Sequence, residues 1–179
     1  FVATAHYLGK LTPLSYACSA NLVSAIFAAV TVANIFLIVF LLTGRIWPGV
    51  LGAAVLAFSH SFWFNAVQAQ TYSMATAALT GGIIFLIKYM QNGKRANLLL
   101  LGLVFGLGMA THIMSQIGFA VIMVYLLILC VKRKLAVKTY GLAILAWIVG
   151  AFLLWVVMAI EYQRSGDFAG TVLSAIFGQ

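Results

Sequence analysis

Side chains able to do polar chemistry are sparse in this chain, and they cluster. Between positions 59 and 72 stand Ser59, His60, Ser61, Asn65, Gln68, Gln70, Thr71 and Tyr72, interleaved with Phe62, Trp63 and Phe64 and with no charged residue among them. A second polar run, Thr111 to Gln116 with His112 inside it, interrupts the longest apolar stretch. Groups that donate and accept hydrogen bonds without carrying charge suit a pocket for a polar, uncharged ligand such as a sugar. Asn65, Gln68, Gln70, Tyr72 and His112 are therefore the candidate binding residues. Arg164 and Lys10 are the two cations expected on the same face as these groups. Each has a plainer reading beside it: His60 and His112 as packed or capping residues, the two glutamines as mutually satisfied amides, and Glu161 and Asp167 beside Arg164 as a solvated, locally paired cluster. If residues 64–74 are helical, Asn65, Gln68 and Tyr72 share one face at i, i+3 and i+7, while Gln70 points the opposite way. The sequence holds no serine, histidine and acid order, no phosphate loop and no Cys/His ligand spacing. No metal or cofactor is expected, and no catalytic residue is assigned.

These groups need a scaffold, and composition identifies its kind. Of 179 residues, 65% are hydrophobic and 7% charged, against about 25% charged in an ordinary soluble domain. The chain reads as an all-α, polytopic transmembrane helix bundle. Ten Lys and Arg against two Asp and Glu give a net charge of +8. In a soluble protein that balance suggests nucleic-acid binding; here basic residues in short cytoplasmic loops account for it, and no nucleic-acid partner is expected. The chain opens at Phe1 with no charged leader and closes in a semi-apolar stretch, so it is expected to be a fragment. Cys18 and Cys130 are expected on opposite membrane faces and unpaired.

Taken in order, residues 1–16 are too short to span and read as an interfacial helix turned by Pro13. Residues 17–161 are expected to hold six spans and 162–179 an outer tail, all in one transmembrane domain. The first span covers about 20–42, with Ser24, Thr31 and Asn34 serving helix-to-helix hydrogen bonds. Trp47, Pro48 and Gly49 open the second, to about Phe62, with Gly49, Gly52 and Ala53 on a close-packing face. The third covers about 72–89. The apolar stretch from Leu98 to Val131 would be about 50 Å long as one helix against a bilayer core of about 30 Å, so it must break. Basic residues flank both of its ends, which favours a hairpin turning at 111–116, with Gly102, Gly106 and Gly108 for tight contact. The sixth span covers about 139–160.

This layout puts eight basic residues on one face (Arg45, Lys88, Lys94, Arg95, Lys132, Arg133, Lys134 and Lys138) and two, Lys10 and Arg164, on the other. The eight-residue side should be cytoplasmic. The connections 59–72 and 111–116 then face outward, and Trp63, Tyr72 and Tyr162 form an outer aromatic belt opposite Trp47, Tyr89 and Tyr140.

Four short segments, Asn21 to Phe27, Ala57 to Trp63, Gln68 to Tyr72 and Gly106 to His112, resemble in order and spacing a bacterial membrane family formerly of unknown function. That family is related to the vertebrate plexin-type protein O-mannosyltransferase and to the GT-C glycosyltransferases. The resemblance covers roughly residues 5 to 130. It implies a GT-C-like core fragment of an enzyme that transfers a sugar from a polyprenyl-phosphate carrier to a protein or glycan acceptor on the non-cytoplasmic side, in a bacterial inner membrane. It also implies an acidic base in an outward loop upstream of Phe1, contacts from Gln70, Tyr72 and His112 to sugar or carrier headgroup, and Arg164 or Lys10 as the partner of the carrier phosphate. Two positions depart from the family pattern: Gln70 stands where Glu is usual, and Ser19 where a basic residue is common.

Two other readings fit a polar-lined helix bundle. A transporter or channel subunit commonly carries inverted repeats and mid-membrane ionisable residues; neither is found. A non-catalytic partner in a membrane complex would also use glycine-rich helix faces.

Overall fold

A computed structural model describes residues 2–112 and 114–177. Phe1, Ile113 of the expected 111–116 turn and the last two residues of the tail lie outside the described residues. Every described element is an α-helix.

Helix α1 (Val2–Leu11) stops before Pro13 and folds back on the start of α2 (Tyr16–Thr43), burying Ala5 against Ala20 and Val23. Ser15 caps α2, its hydroxyl accepting from Cys18 N at 3.3 Å. With 28 residues, α2 is about 42 Å long, and it ends where Gly44 takes a φ of 67°. α3 (Ile46–Ala57) returns antiparallel, its Gly49 pressed on the Phe36 ring. After Phe58 and Ser59 the chain bends by 68° into the short α4 (His60–Ala66).

α5 (Tyr72–Asn92) lies beside α2 and runs parallel to it, as three polar contacts climbing both helices together show. Thr31 meets Thr76 at 3.4 Å, Asn34 Nδ2 donates to Ala77 O at 3.2 Å and Thr80 Oγ1 at 3.0 Å, and Gln91 Nε2 donates to Leu41 O at 2.8 Å. Inside an apolar bundle such bonds satisfy groups that lipid cannot, which is the role the sequence suggested for Thr31 and Asn34.

α6 (Arg95–Met109) turns back along α5, and α7 (Met114–Val131) forms the second arm of the hairpin, so the long apolar stretch breaks as its length requires. α8 (Val137–Gly150) packs parallel to α6. Gly102 and Gly106 face the α8 backbone at Ala143, Trp147 and Gly150, and Gly150 in turn lies on Leu103 and Gly106. The two backbones come this close because Gly102 and Gly106 on α6 and Gly150 on α8 carry no Cβ. Phe105, Leu98, Leu101 and Leu126 are fully buried where α6, α7 and α8 meet. Beyond Ala151 the chain bends by 54° into α9 (Phe152–Ser165), and α10 (Phe168–Phe177) follows, capped by Asp167, whose carboxylate accepts from Gly170 N at 3.0 Å. Among the described residues Glu161, Arg164 and Asp167 form no ion pair; Asp167 serves the helix start instead of a charge cluster.

The helix directions divide the bundle into two ends. The breaks at 58–59 and 151 and the turns at 67–71 and 110–112 lie at one. The turns at 44–45, 93–94 and 132–136 lie at the other, with Arg45, Lys88, Lys94, Arg95, Lys132, Arg133, Lys134 and Lys138.

The six separate spans expected from apolar runs are not reached. Among the described residues two helices, α2 and α5, are long and apolar enough to cross a membrane unaided, or four spans if each bent pair, α3 with α4 and α8 with α9, counts as one. At 15 residues, α6 is about 22 Å long, short of the roughly 30 Å core. Residues 64–74 also do not form one helix: the chain leaves helical geometry after Ala66 and re-enters it at Tyr72.

Candidate functional site

At the end away from the basic turns, α4 and the first turn of α5 enclose an open groove of about 290 Å3, lined by Phe62, Asn65, Tyr72, Ser73 and Thr76. That is close to the lower limit of small-molecule sites, roughly 300 Å3. No lining residue is charged. Its two walls are stapled together by Ser73 Oγ donating to Asn65 O at 3.4 Å. Asn65 Nδ2 donates to Ser61 O at 2.8 Å, and Thr76 Oγ1 donates to Tyr72 O at 3.0 Å, which fixes both side chains on their helices.

The turn between the walls is held from α2. The Ser24 hydroxyl, itself buried, accepts from Gln70 N at 3.2 Å and donates to Gln70 O at 3.1 Å. One side chain thus bonds both backbone groups of a residue that has left the helix, and Gln70 N shares its hydrogen with Gln68 O at 2.8 Å. The Gln68 and Gln70 amides then pair, Gln70 Nε2 donating to Gln68 Oε1 at 2.9 Å.

Behind the groove, the Tyr72 ring lies 5.0 Å from that of His112, tilted by 44°. The turn carrying His112 is tied down on both sides. His112 N donates to Gly108 O at 3.1 Å and Ser115 Oγ to His112 O at 3.0 Å. Gln116 completes the clamp: its Nε2 donates to Phe105 O at 3.0 Å and Ser115 Oγ at 2.8 Å, and its Oε1 accepts from Trp147 Nε1 at 2.8 Å. A carboxamide with three partners at this depth ties α6, α7 and α8 together and sets the height of the His112 turn.

Of the candidate residues, the structure brings Asn65 and Tyr72 into one groove and His112 onto the back of Tyr72. Gln68 and Gln70 occupy the connecting turn, bonded to each other, and do not share a helical face with Asn65 and Tyr72. Arg164 ends α9, which packs on α6, α8 and α10 but does not touch α4 or α5. His60 is exposed and stacks on Phe64 at 6.5 Å. Ser19 is fully buried where α1 crosses α2 near Gly9, a space with no room for a long cationic side chain.

Phe62, Ser73 and Thr76 were not singled out by sequence reasoning. Thr76 follows Tyr72 by one helical turn, so extending the face of Tyr72 along α5 would have found it. The Ser24 clasp left no such signal, because its partner lies 46 residues away.

No curated protein and no solved structure matches the chain. Residues 1–138 match the family described as Protein O-mannosyl-transferase TMEM260 N-terminal domain. That stretch runs from α1 through the start of α8 and takes in the groove, the Ser24 clasp and the His112 turn. The chain therefore belongs to the protein O-mannosyl-transferase TMEM260 N-terminal domain family.

Proposed function

We propose that this chain forms the membrane core of a GT-C-like glycosyltransferase that moves a mannose-type sugar from a polyprenyl-phosphate carrier to a protein or glycan acceptor on the non-cytoplasmic side. The observation that carries the reading is the uncharged groove of Asn65, Tyr72, Ser73 and Thr76, backed by His112, at the end opposite the basic turns. The excess of Lys and Arg at that other end supports a cytoplasmic orientation for it, and a bacterial inner membrane is what the resemblance implies.

In the reaction the acceptor hydroxyl attacks the anomeric carbon, the bond from that carbon to the phosphate oxygen breaks, and the hydroxyl proton passes to a base. Polyprenyl phosphate leaves with the bonding electrons. Asn65 and Thr76 offer hydrogen bonds to sugar hydroxyls, and Tyr72 offers a ring face to the apolar side of the pyranose. Gln70 and Gln68 hold the rim, while Lys10 on α1 and Arg164 on α9 stand on helices that do not touch α4 or α5. The groove supplies no carboxylate, so the base lies elsewhere, and the resemblance implies an acidic residue upstream of Phe1.

The test is sugar transfer by the full-length protein in proteoliposomes, with a labelled polyprenyl-phosphate mannose as donor. Asn65→Ala is expected to lower kcat/KM by about 3- to 10-fold, the worth of one lost neutral hydrogen bond. Tyr72→Ala should cost more than Tyr72→Phe, which keeps the ring. Unchanged transfer in the combined Asn65→Ala, Tyr72→Ala, His112→Ala variant would sink the assignment of this groove.

A further inference from the structure

Four helices of this chain stop in the same way, and one of them uses an unexpected residue. Gly44, Gly93 and Gly166 close α2, α5 and α9 with φ of 67°, 66° and 68°, a region that glycine enters without steric cost. α7 stops in the same conformation, but the residue is Arg133, with φ 56°. Lys134 N and Leu135 N both donate to Leu129 O, at 2.9 and 3.2 Å, and Arg133 N donates to Cys130 O at 2.9 Å. This is a helix stop of the kind that glycine usually makes, and an arginine there holds the backbone where its own Cβ disfavours it. The rule of basic cytoplasmic loops does not call for this. It depends on how many cations a loop holds, not on which position carries them. A glycine at this position with cations beside it would meet that count without strain.

The surroundings indicate what the guanidinium is held for. Lys132, Arg133, Lys134 and Lys138 are all exposed, while Leu135 in their midst is buried in one cluster with Leu98 of α6. The turn is thus anchored to the core, and its cations are positioned before any ligand arrives. Val131 and Val137, on either side, are 77% and 73% exposed, so apolar side chains face outward right beside the charges. Cations bordered by outward-facing valines match the boundary between acyl chains and headgroups. Neither acidic residue of the chain lies on α6, α7 or α8 to neutralise the turn.

We propose that the α7–α8 turn, with Arg133 at its apex, binds the phosphodiester headgroup of an acidic phospholipid. The planar guanidinium fork matches two phosphate oxygens, the flanking lysines add attraction, and the valines sit among the chains. The site lies at the opposite end from the groove and does not depend on sugar transfer; it requires only that this end meets a membrane surface.

The experiment is thermal unfolding of the full-length protein in neutral micelles doped with phosphatidylglycerol, with phosphatidylcholine, or with sodium phosphate alone. Phosphatidylglycerol is expected to raise the native midpoint and the other two are not. Arg133→Gly should melt higher than the native protein in neutral micelles, because the backbone strain is gone. Its response to phosphatidylglycerol should shrink, with affinity for the acidic lipid down about fivefold, the effect of one cation near an anionic surface. Lys10→Gln, at the other end, should keep the full response. Should Arg133→Gly misfold, Arg133→Gln reads the same loss of lipid response with the backbone demand retained. The proposal is overturned if the Arg133 variant keeps the whole response, if Lys10→Gln loses as much, or if sodium phosphate alone reproduces the rise.

Discussion

Replacing Gly106 by alanine puts a methyl group where α6 meets the backbone of α8. The new Cβ would abut Trp147 O and lie 2.7 Å from both Ala151 N and the Gly150 Cα, about 0.8 Å inside the shortest comfortable carbon contact of ~3.5 Å. None of these atoms belongs to a side chain that can swing away, so α8 itself must retreat. Overpacking of this kind costs about 1–3 kcal/mol. A retreat of that size also stretches the 2.8 Å bond from Trp147 Nε1 to Gln116 Oε1 past the useful range, losing roughly another 0.5–1.5 kcal/mol. Alanine's higher helix propensity returns about 1 kcal/mol, leaving a net loss of about 0.5–3.5 kcal/mol by these magnitudes. Equilibrium unfolding of the purified protein in mixed micelles measures it, with tryptophan emission following the Trp147 environment. Gly141→Ala is the matched control, since a Cβ there meets nothing within 4 Å; it should gain up to about 1 kcal/mol. Equal stability of Gly106→Ala and the native protein, with unchanged tryptophan emission, would refute the close-packing argument.

Three further outcomes follow from the same contacts. Gln116→Leu leaves the Trp147 indole N–H without its acceptor, and each buried group so orphaned costs about 1–3 kcal/mol; the loss should appear in unfolding experiments together with a shift in near-ultraviolet dichroism from Trp147. Asn34→Leu removes two bonds between α2 and α5, each worth about 0.6 kcal/mol in a membrane bundle, so a loss of about 1 kcal/mol is expected and an unfolding midpoint equal to the native one contradicts it. Ser24→Ala releases the turn at Gln70; amide hydrogen exchange at Gln70 should speed up while Asn92 at the far end of α5 is unaffected, and unchanged exchange at Gln70 counts against the clasp.

The helical class of the fold was legible because the signal is repeated along the chain. The break after Met109 was legible too, since length and the basic flanks of the 98–131 stretch allow little else. The 54° bend at Ala151 was not. The run from Thr139 to Ile160 shows no proline, and the bend falls where α6 lies against Gly150 and Ala151, with Trp155 Nε1 bonded back to Ile148 O at 3.0 Å. The connection at 67–71 was legible as a polar interruption, but whether 64–74 ran on as helix was not, since the hydroxyl that bonds the Gln70 backbone is supplied by Ser24, far off in the sequence. In the candidate site, Asn65, Tyr72 and His112 were found from residue type and their polar setting. Their grouping without Gln68 and Gln70 follows from that turn, and Arg164 stands apart because α9 leaves the bundle.

The functional reading requires the groove end of the bundle to face away from the cytoplasm. In a variant with Cys18 and Cys130 replaced by serine, single cysteines at His60→Cys and Lys94→Cys report on the two ends. A membrane-impermeant maleimide added to sealed cells is predicted to label the first and to reach the second only after the membrane is opened. Labelling of Lys94→Cys in sealed cells, with His60→Cys protected, would contradict the account.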